Sequence, residues 1–272
     1  MSNQDPAAAF RRLHATGQLL VLPNAWDAGS ARLIESLGAA AIATTSSGLC
    51  WARGYADGKL LPLSVLVGAV AEIARVTSLP LSVDVEAGYS ADPQRVAEMV
   101  SAVIEAGAVG INLEDGSGPP ELLAAKIAAV KQAARRSGVD LFVNARTDVY
   151  LKKLAPPERA VDETVARGRR YQEAGCDGLF VPGLRERDAI QAIAGAVALP
   201  LNVMVLPSLP PVADLRACGV RRVSAGSAVA AAALGAARRA AKQLLAEGRY
   251  ESLYAEPVAY AEMNALFPPP GN

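Results

Sequence analysis

One histidine, His14, and three scattered cysteines, Cys50, Cys176 and Cys218, are all that 272 residues offer of the side chains most used for proton transfer and nucleophilic attack near neutral pH. His14 falls in an amphipathic helical segment, residues 6–16, ahead of the first strand, so a mechanism that depends on a histidine base is not expected. The isolated cysteines, odd in number, make neither a disulfide framework nor a zinc site and point to a reducing cytoplasm. Net charge is missing as well. Lysine plus arginine and aspartate plus glutamate stand at 27 each, which leaves no footprint for nucleic acid or an anionic membrane. No apolar run is clean enough to span a bilayer, because the Ala-rich stretch 225–241 is broken by Arg238 and Arg239, and the N-terminus shows no signal-peptide pattern. Aromatic residues make up only 5% of the chain.

What is present is a repeated strand–helix rhythm in a chain that is 51% hydrophobic. Strand-like runs at 20–23, 41–43, 81–86, 109–113, 141–144, 177–181, 201–205 and 221–224 are each followed by a helical pattern. The helices are predicted near 27–37, 62–76, 93–106, 120–136, 158–174, 185–197, 210–217 and 227–247, several with proline at the start. Eight such units predict a single (β/α)8 barrel over 1–272, whose active site lies in the loops after the strands. Residues 48–59, with three glycines, Tyr55 and Asp57, show neither helical nor strand periodicity and read as a long mobile loop on that face, with Cys50 and Trp51 packed under it. Beyond the last barrel helix, Tyr250, Tyr254, Tyr260 and Phe267 make the tail, about 250–272, too apolar to stand in solvent.

The chemistry concentrates at strand ends. In a strand, Asp84 and Glu86 share a face, and two carboxylates closing a buried run are costly unless they are paired or hold a cation. A helix cap plus a surface carboxylate is the plainer alternative. Glu114 closes the fourth strand; Asp115 faces the other way and is read as a support. Arg146 closes the fifth strand and serves either as a ligand-binding cation or as a structural counter-charge to the acids. Asp57 before Gly58 is by itself a common turn residue. Ser224-Ala225-Gly226-Ser227 caps a helix or binds phosphate at its N-terminus, with capping favoured.

Asp84-Val85-Glu86, Glu114-Asp115 and Asn144-Ala145-Arg146-Thr147-Asp148, in that order, with Ser47-Gly48 and Gly54-Tyr55-Ala56-Asp57-Gly58, resemble the isocitrate lyase and phosphoenolpyruvate mutase superfamily. The resemblance spans nearly the whole chain. It implies a Mg2+ ion, with Mn2+ as a substitute, held chiefly by Asp84 and approached largely through water by Asp57, Glu86 and Glu114. It further implies a small 2-oxo or 2-hydroxy acid whose carboxylate is cradled by Ser46, Ser47 and Gly48, with Arg146 stabilising an enolate oxygen and Asn202 helping to hold a second carboxylate. Helix-swapped dimers that pair into tetramers are implied too; the Ala-rich segment before the tail suits close helix contact.

The chain also departs from that pattern. The Lys-Lys-Cys-Gly-His or Lys-Arg-Cys-Gly-His loop of the lyases is replaced by Gly116-Ser117-Gly118-Pro119-Pro120, and their glutamate after the sixth strand by the neighbourhood of Pro182-Gly183. The mutase's lysine and asparagine in the gating loop are missing as well. These departures tell against authentic isocitrate lyase, 2-methylisocitrate lyase and phosphoenolpyruvate mutase activities. Three readings remain: a Mg2+-dependent lyase acting by C–C cleavage or decarboxylation, with C–P hydrolysis or mutase chemistry in the same class; a carrier binding oxaloacetate or 2-oxoglutarate without turnover; and a phosphosugar-binding barrel using Gly226. In the first, water, Tyr55 or Asp57 handles protons, and Asp57, Glu114 and Arg146 are the catalytic candidates.

Overall fold

The computed structural model describes residues 5–15, 17–58 and 61–267. Eight strands, β1 (Leu20–Leu22), β2 (Ile42–Ala43), β3 (Leu81–Asp84), β4 (Gly110–Glu114), β5 (Phe142–Arg146), β6 (Gly178–Val181), β7 (Leu201–Met204) and β8 (Val220–Ser224), run parallel in the order β1-β8-β7-β6-β5-β4-β3-β2. A parallel bridge between Ala25 and Thr44 brings β1 and β2 together, so the sheet is a nearly closed barrel. The fold is the expected (β/α)8 architecture. Outside it lie α2 (Ala28–Ser36), α4 (Leu63–Val76), α5 (Pro93–Glu105), α6 (Pro120–Arg136), α7 (Ala160–Glu173), α8 (Arg187–Ala196) and α9 (Val212–Ala217). Their apolar stripes, such as Val96, Val100 and Val103 on α5, bury against outward-facing strand residues such as Ile111 and Leu113.

The N-terminal mouth of the barrel is plugged by α1 (Pro6–Ala15). Its Phe10, fully buried, meets Phe142 edge-on at 5.4 Å, and His14 stacks on the same ring at 4.1 Å. Phe142 opens β5 while Arg146 ends it, so His14 sits at the opposite end from the predicted site. Burial, with the charges of Arg222 and Arg11, lowers its pKa to about 3, which keeps the imidazole neutral. The plug needs glycine opposite it: a Cβ on Gly110 would stand 2.7 Å from the Phe10 ring.

Three expectations are corrected. Residues 48–59 are not loop throughout, because Ser46–Ala52 form α3. Gly48 lies inside this helix, where a Cβ would meet Thr45 and Trp26 at 2.8 and 2.9 Å; close packing, not chain flexibility, accounts for that glycine. Cys50 is accordingly buried in a helix, while Trp51 is 42% exposed. β3 stops at Asp84, and Glu86 follows in a turn with φ 49. Lys59, the expected end of the loop, lies outside the described residues.

After β8 the chain forms α10 (Ala228–Glu247), a 3-10 turn at Glu251–Tyr254 and α11 (Tyr260–Ala265). Of the twenty residues of α10 only Ala230 is buried. The tail returns to the barrel where Arg32 Nε donates to the Leu266 carbonyl at 2.9 Å. Phe10→Ala is expected to cost roughly 3–5 kcal/mol, because the plug cannot collapse into the space vacated between Phe142 and His14. Urea unfolding would check this; a loss under about 1 kcal/mol would show that α1 is not part of the barrel core.

Candidate active site

The C-terminal ends of β3, β4 and β5 place Asp84, Glu114 and Arg146 at the same mouth of the barrel: Glu114 and Arg146 are register partners, and Asp84 pairs with Asn112, two residues before Glu114. Arg146 Nη1 meets Glu114 Oε2 at 2.8 Å, and its Nε meets Asp148 Oδ1 at 2.7 Å. Lys152 closes the chain, Nζ 3.0 Å from Asp148 Oδ2. Asp148 is fully buried and is fixed by Asp115, whose Oδ1 accepts from the Asp148 N–H at 2.9 Å. Asp115 also accepts from Arg167 Nη1 at 2.8 Å and Tyr171 Oη at 2.7 Å on α7. It therefore supports the site from outside the barrel, on the face opposite Glu114.

On the other side, Thr44 Oγ1 accepts from the Asp84 N–H at 2.9 Å, and Asp84 Oδ1 accepts from the Glu86 N–H at 3.1 Å. Two residues in the left-handed region, Glu86 and Tyr89 (φ 57), shape this turn, and buried Lys126 donates to the Ala87 carbonyl at 2.7 Å. Non-glycine residues there are strained, a cost tolerated where a side chain must be aimed. The turn carries Glu86 to Cys50 and Asp57: one donor atom from each of these three residues lies within 4.8 Å of the others. The structure thus brings Asp84, Glu86, Glu114 and Arg146 together, and Asp57, though exposed, reaches the same edge.

Ser46, Ser47 and Gly48 form the first turn of α3, which follows Thr45, the neighbour of the Thr44 that accepts from Asp84 at the end of β3. Asn202 is elsewhere. It is fully buried inside the barrel, its amide donating to Ser224 Oγ, the Val203 carbonyl and the Arg222 carbonyl, and its Oδ1 accepting from Asn144 Nδ2 at 3.0 Å. It holds strands together and has no donor left for a ligand carboxylate. Nor is the Gly226 N–H free for phosphate, because it donates to Asn24 Oδ1 at 2.9 Å; Ser227 makes no capping bond, so the cap comes from the end of β1. Lys152 escaped the sequence reading. Its only signal is a lysine six residues after Arg146.

Electrostatics show what the acids lack. Burial raises the Asp84 carboxyl, with Arg146 only partly opposing it. Burial, together with Asp84 and Asp148, pushes Glu114 up to about 7 against the pull of Arg146 and Lys152. Burial and then Asp57, Glu86 and Asp84 push the Cys50 thiol up to about 11. Carboxylates this crowded, with Arg146 as the main cation among them, suit a divalent ion on oxygen donors. The donor set fits Mg2+.

Residues 10–245 match the model of the phosphoenolpyruvate phosphomutase family. The chain belongs to this family. Its relatives place it in the wider superfamily of phosphoenolpyruvate mutase and isocitrate lyase enzymes. A Burkholderia cenocepacia crystal structure, named for a proposed phosphonomutase, is 45% identical with a TM-score of 0.83, covering 88% of this chain and 99% of that one. An oxaloacetate decarboxylase from Bradyrhizobium is 32% identical over 76% of this chain and 73% of its own length. A phosphonopyruvate hydrolase solved with oxalate and Mg2+ is 26% identical with a TM-score of 0.83, covering 97% of this chain and 95% of that one.

The raised Glu114 carboxyl predicts a pH signature. Between the ordinary carboxylate range and about 7, folded protein keeps a proton on Glu114 that the unfolded chain has released, so cation-free stability falls as pH rises through that window. A cation needs the ionised carboxylate, so the gain in melting temperature from Mg2+ should grow as pH climbs past about 7. Glu114→Gln should flatten both trends. Thermal unfolding with and without Mg2+ across this range checks it; a pH-independent Mg2+ shift would contradict it.

Proposed function

We propose that this protein is a Mg2+-dependent carbon–carbon lyase that decarboxylates a small 2-oxo dicarboxylic acid of the oxaloacetate type. The observation that carries this reading is a convergence of Asp84, Glu86, Glu114 and Arg146 with no imidazole or lysine beside them in the β4–α6 loop. Retro-aldol cleavage of a 2-hydroxy acid must begin with a base removing the hydroxyl proton. Decarboxylation of a 2-oxo acid with a carboxylate one carbon beyond the carbonyl needs only a place for negative charge on the 2-oxo oxygen. Water can deliver the proton afterwards.

Asp84 would hold the ion directly, and Asp57, Glu86 and Glu114 would bind its water ligands; Mn2+ suits the same donors. When bound, the cation supplies Lewis-acid stabilisation of that developing charge. Arg146, tethered between Glu114 and Asp148, presents a fixed guanidinium to the same oxygen. Ser46, Ser47 and Gly48 would receive the ligand's first carboxylate. Lys152 adds positive charge beside Gly116, which would favour an approaching dianion. The oxaloacetate decarboxylase relative and the oxalate and Mg2+ ligands of the phosphonopyruvate hydrolase structure support this chemistry.

Asp84→Asn should lower Mg2+-dependent pyruvate release from oxaloacetate by about a hundredfold or more while cation-free melting is unchanged. Release of CO2 by the wild type above the Mg2+-only background is the deciding assay. Ligand binding without product would favour a carrier, and phosphate release from phosphonopyruvate would favour C–P hydrolysis.

We infer further that α10 is exchanged between subunits of a homodimer or homotetramer. Leu234, Leu244 and Leu245 are exposed on it, and Tyr250, Tyr254 and Tyr260 are exposed beyond it, an apolar surface suited to a second copy. The three free, buried thiols suit a reducing compartment such as the cytoplasm. Deleting residues from Tyr250 onward should give aggregated or less stable protein. Light scattering that found the full chain to be a monodisperse monomer, with the deletion melting at the same temperature, would refute the exchange.

A further inference from the structure

Arg222 is the largest fully buried side chain of the molecule, 1% exposed, and it points into the barrel from β8. Its Nη2 donates to Asn112 Oδ1 over a long 3.3 Å, while Nε and Nη1 have no hydrogen-bond partner among the described residues. Among the described residues no carboxylate lies within ion-pair distance of it. Below it, its guanidinium carbon stands 6.0 Å from the centroid of the Phe10 ring. Burial lowers the guanidinium pKa to about 10, with the charge of Asp84 opposing it only in part; a buried charge without an ion-pair partner is costly, and an apolar side chain of this size would be the cheaper filling for a barrel interior.

Register shows where that charge acts. Arg222 pairs with Asn202, and its fork reaches Asn112, which is the register partner of both Asp84 and Asn144. Asn112 lies two residues, roughly 7 Å along the strand, before Glu114 and is itself paired with Asp84, so the guanidinium sits beneath Glu114 and Arg146 and within range of the Asp84 charge. Between them lies a web of amides: Asn144 Nδ2 donates to Asn112 Oδ1 at 2.9 Å and to Asn202 Oδ1 at 3.0 Å. These groups are neutral, so they transmit the field without cancelling it. Asn112, Asn144 and Asn202 are all buried, and charge interactions are weakly screened in such an interior.

We propose that Arg222 is a positioning residue for the site above it: a permanent buried cation that draws an anionic ligand onto the carboxylate layer and offsets the mutual repulsion of Asp84, Glu86 and Glu114. It touches neither ligand nor metal. Its Nε and Nη1 have no hydrogen-bond partner among the described residues, and Asp84, whose charge reaches it, makes no ion pair with it, so its field is not cancelled at close range. This rests on the reading of the site as one for a cation and an anionic 2-oxo acid, and it adds a residue that acts by field alone.

A field and a structural prop predict different outcomes. Removing a buried positive charge should tighten a bound cation and loosen a bound anion, whereas removing a prop should weaken both. In calorimetric titrations at a pH where the acids are ionised, Arg222→Met should bind Mn2+ about threefold to tenfold more tightly than wild type. In Mg2+ it should bind oxalate weaker by a similar factor. Arg222→Lys keeps the charge and loses the fork, so both affinities should return to within about twofold of wild type; this variant also carries the test if the methionine variant does not fold. Both ligands weakening in Arg222→Met, or Arg222→Lys losing oxalate affinity while remaining folded, would overturn the assignment. Wild-type protein that bound neither Mn2+ nor oxalate would overturn the proposed function and this inference together, which separates the two failures.

Discussion

The structure depends most on a conflict of like charges at one end of the barrel. Asp84 and Glu114 are driven into a partly buried cluster by the strands that carry them, Glu86 joins them from the turn after β3, and burial raises Asp84 and Glu114 above the ordinary carboxylate range. Arg146 answers part of the conflict by bridging Glu114 and Asp148 with two N–H donors of one planar group, Nη1 and Nε. Its own charge is reinforced by Glu114 first, then Asp148 and Asp84, so it remains a cation under all ordinary conditions. The remaining negative charge is what a divalent ion would satisfy.

Much of the surrounding architecture serves to hold that conflict in place. Asp115 spends both oxygens fixing Asp148 and anchoring α7 through Arg167 and Tyr171, so a residue just past the end of β4 sets the angle of a residue in the mouth. The left-handed turn at Glu86 does the same on the opposite side. At the other end, α1 closes the barrel with Phe10 and a neutral His14. The unusual middle is polar, with Asn112, Asn144, Asn202, Ser224 and Arg222 sharing hydrogen bonds where barrels commonly stack branched apolar side chains.

The barrel is legible in the sequence because strand and helix periods differ and each strand ends in a polar residue followed by a helical pattern. The carboxylates and Arg146 are legible for a related reason: a charged side chain that closes an apolar run is costly to keep unless it meets an opposite charge or a ligand. The helix at Ser46–Ala52 is not legible, since Ser46, Ser47 and Gly48 lower helix propensity and the segment is too short to show a period; burial of Leu49 and Cys50 against the barrel stabilises it instead. Asn202 misleads in the other direction, because an amide within an apolar strand looks functional, yet its hydrogen bonds are spent across strands.

Sequence by itself determined the number and order of the βα units, the place of the single histidine ahead of the first strand, and that Asp84, Glu114 and Arg146 stand at strand ends, because these follow from local periodicity and composition. Only tertiary structure decided that Glu86 turns toward Asp57 and Cys50, that Lys152 completes the ion-pair chain, and that Arg222 points inward beneath the acids. Those facts depend on barrel closure, which brings into contact residues as far apart as Asn112 and Arg222, and no local pattern encodes a neighbour 110 positions away.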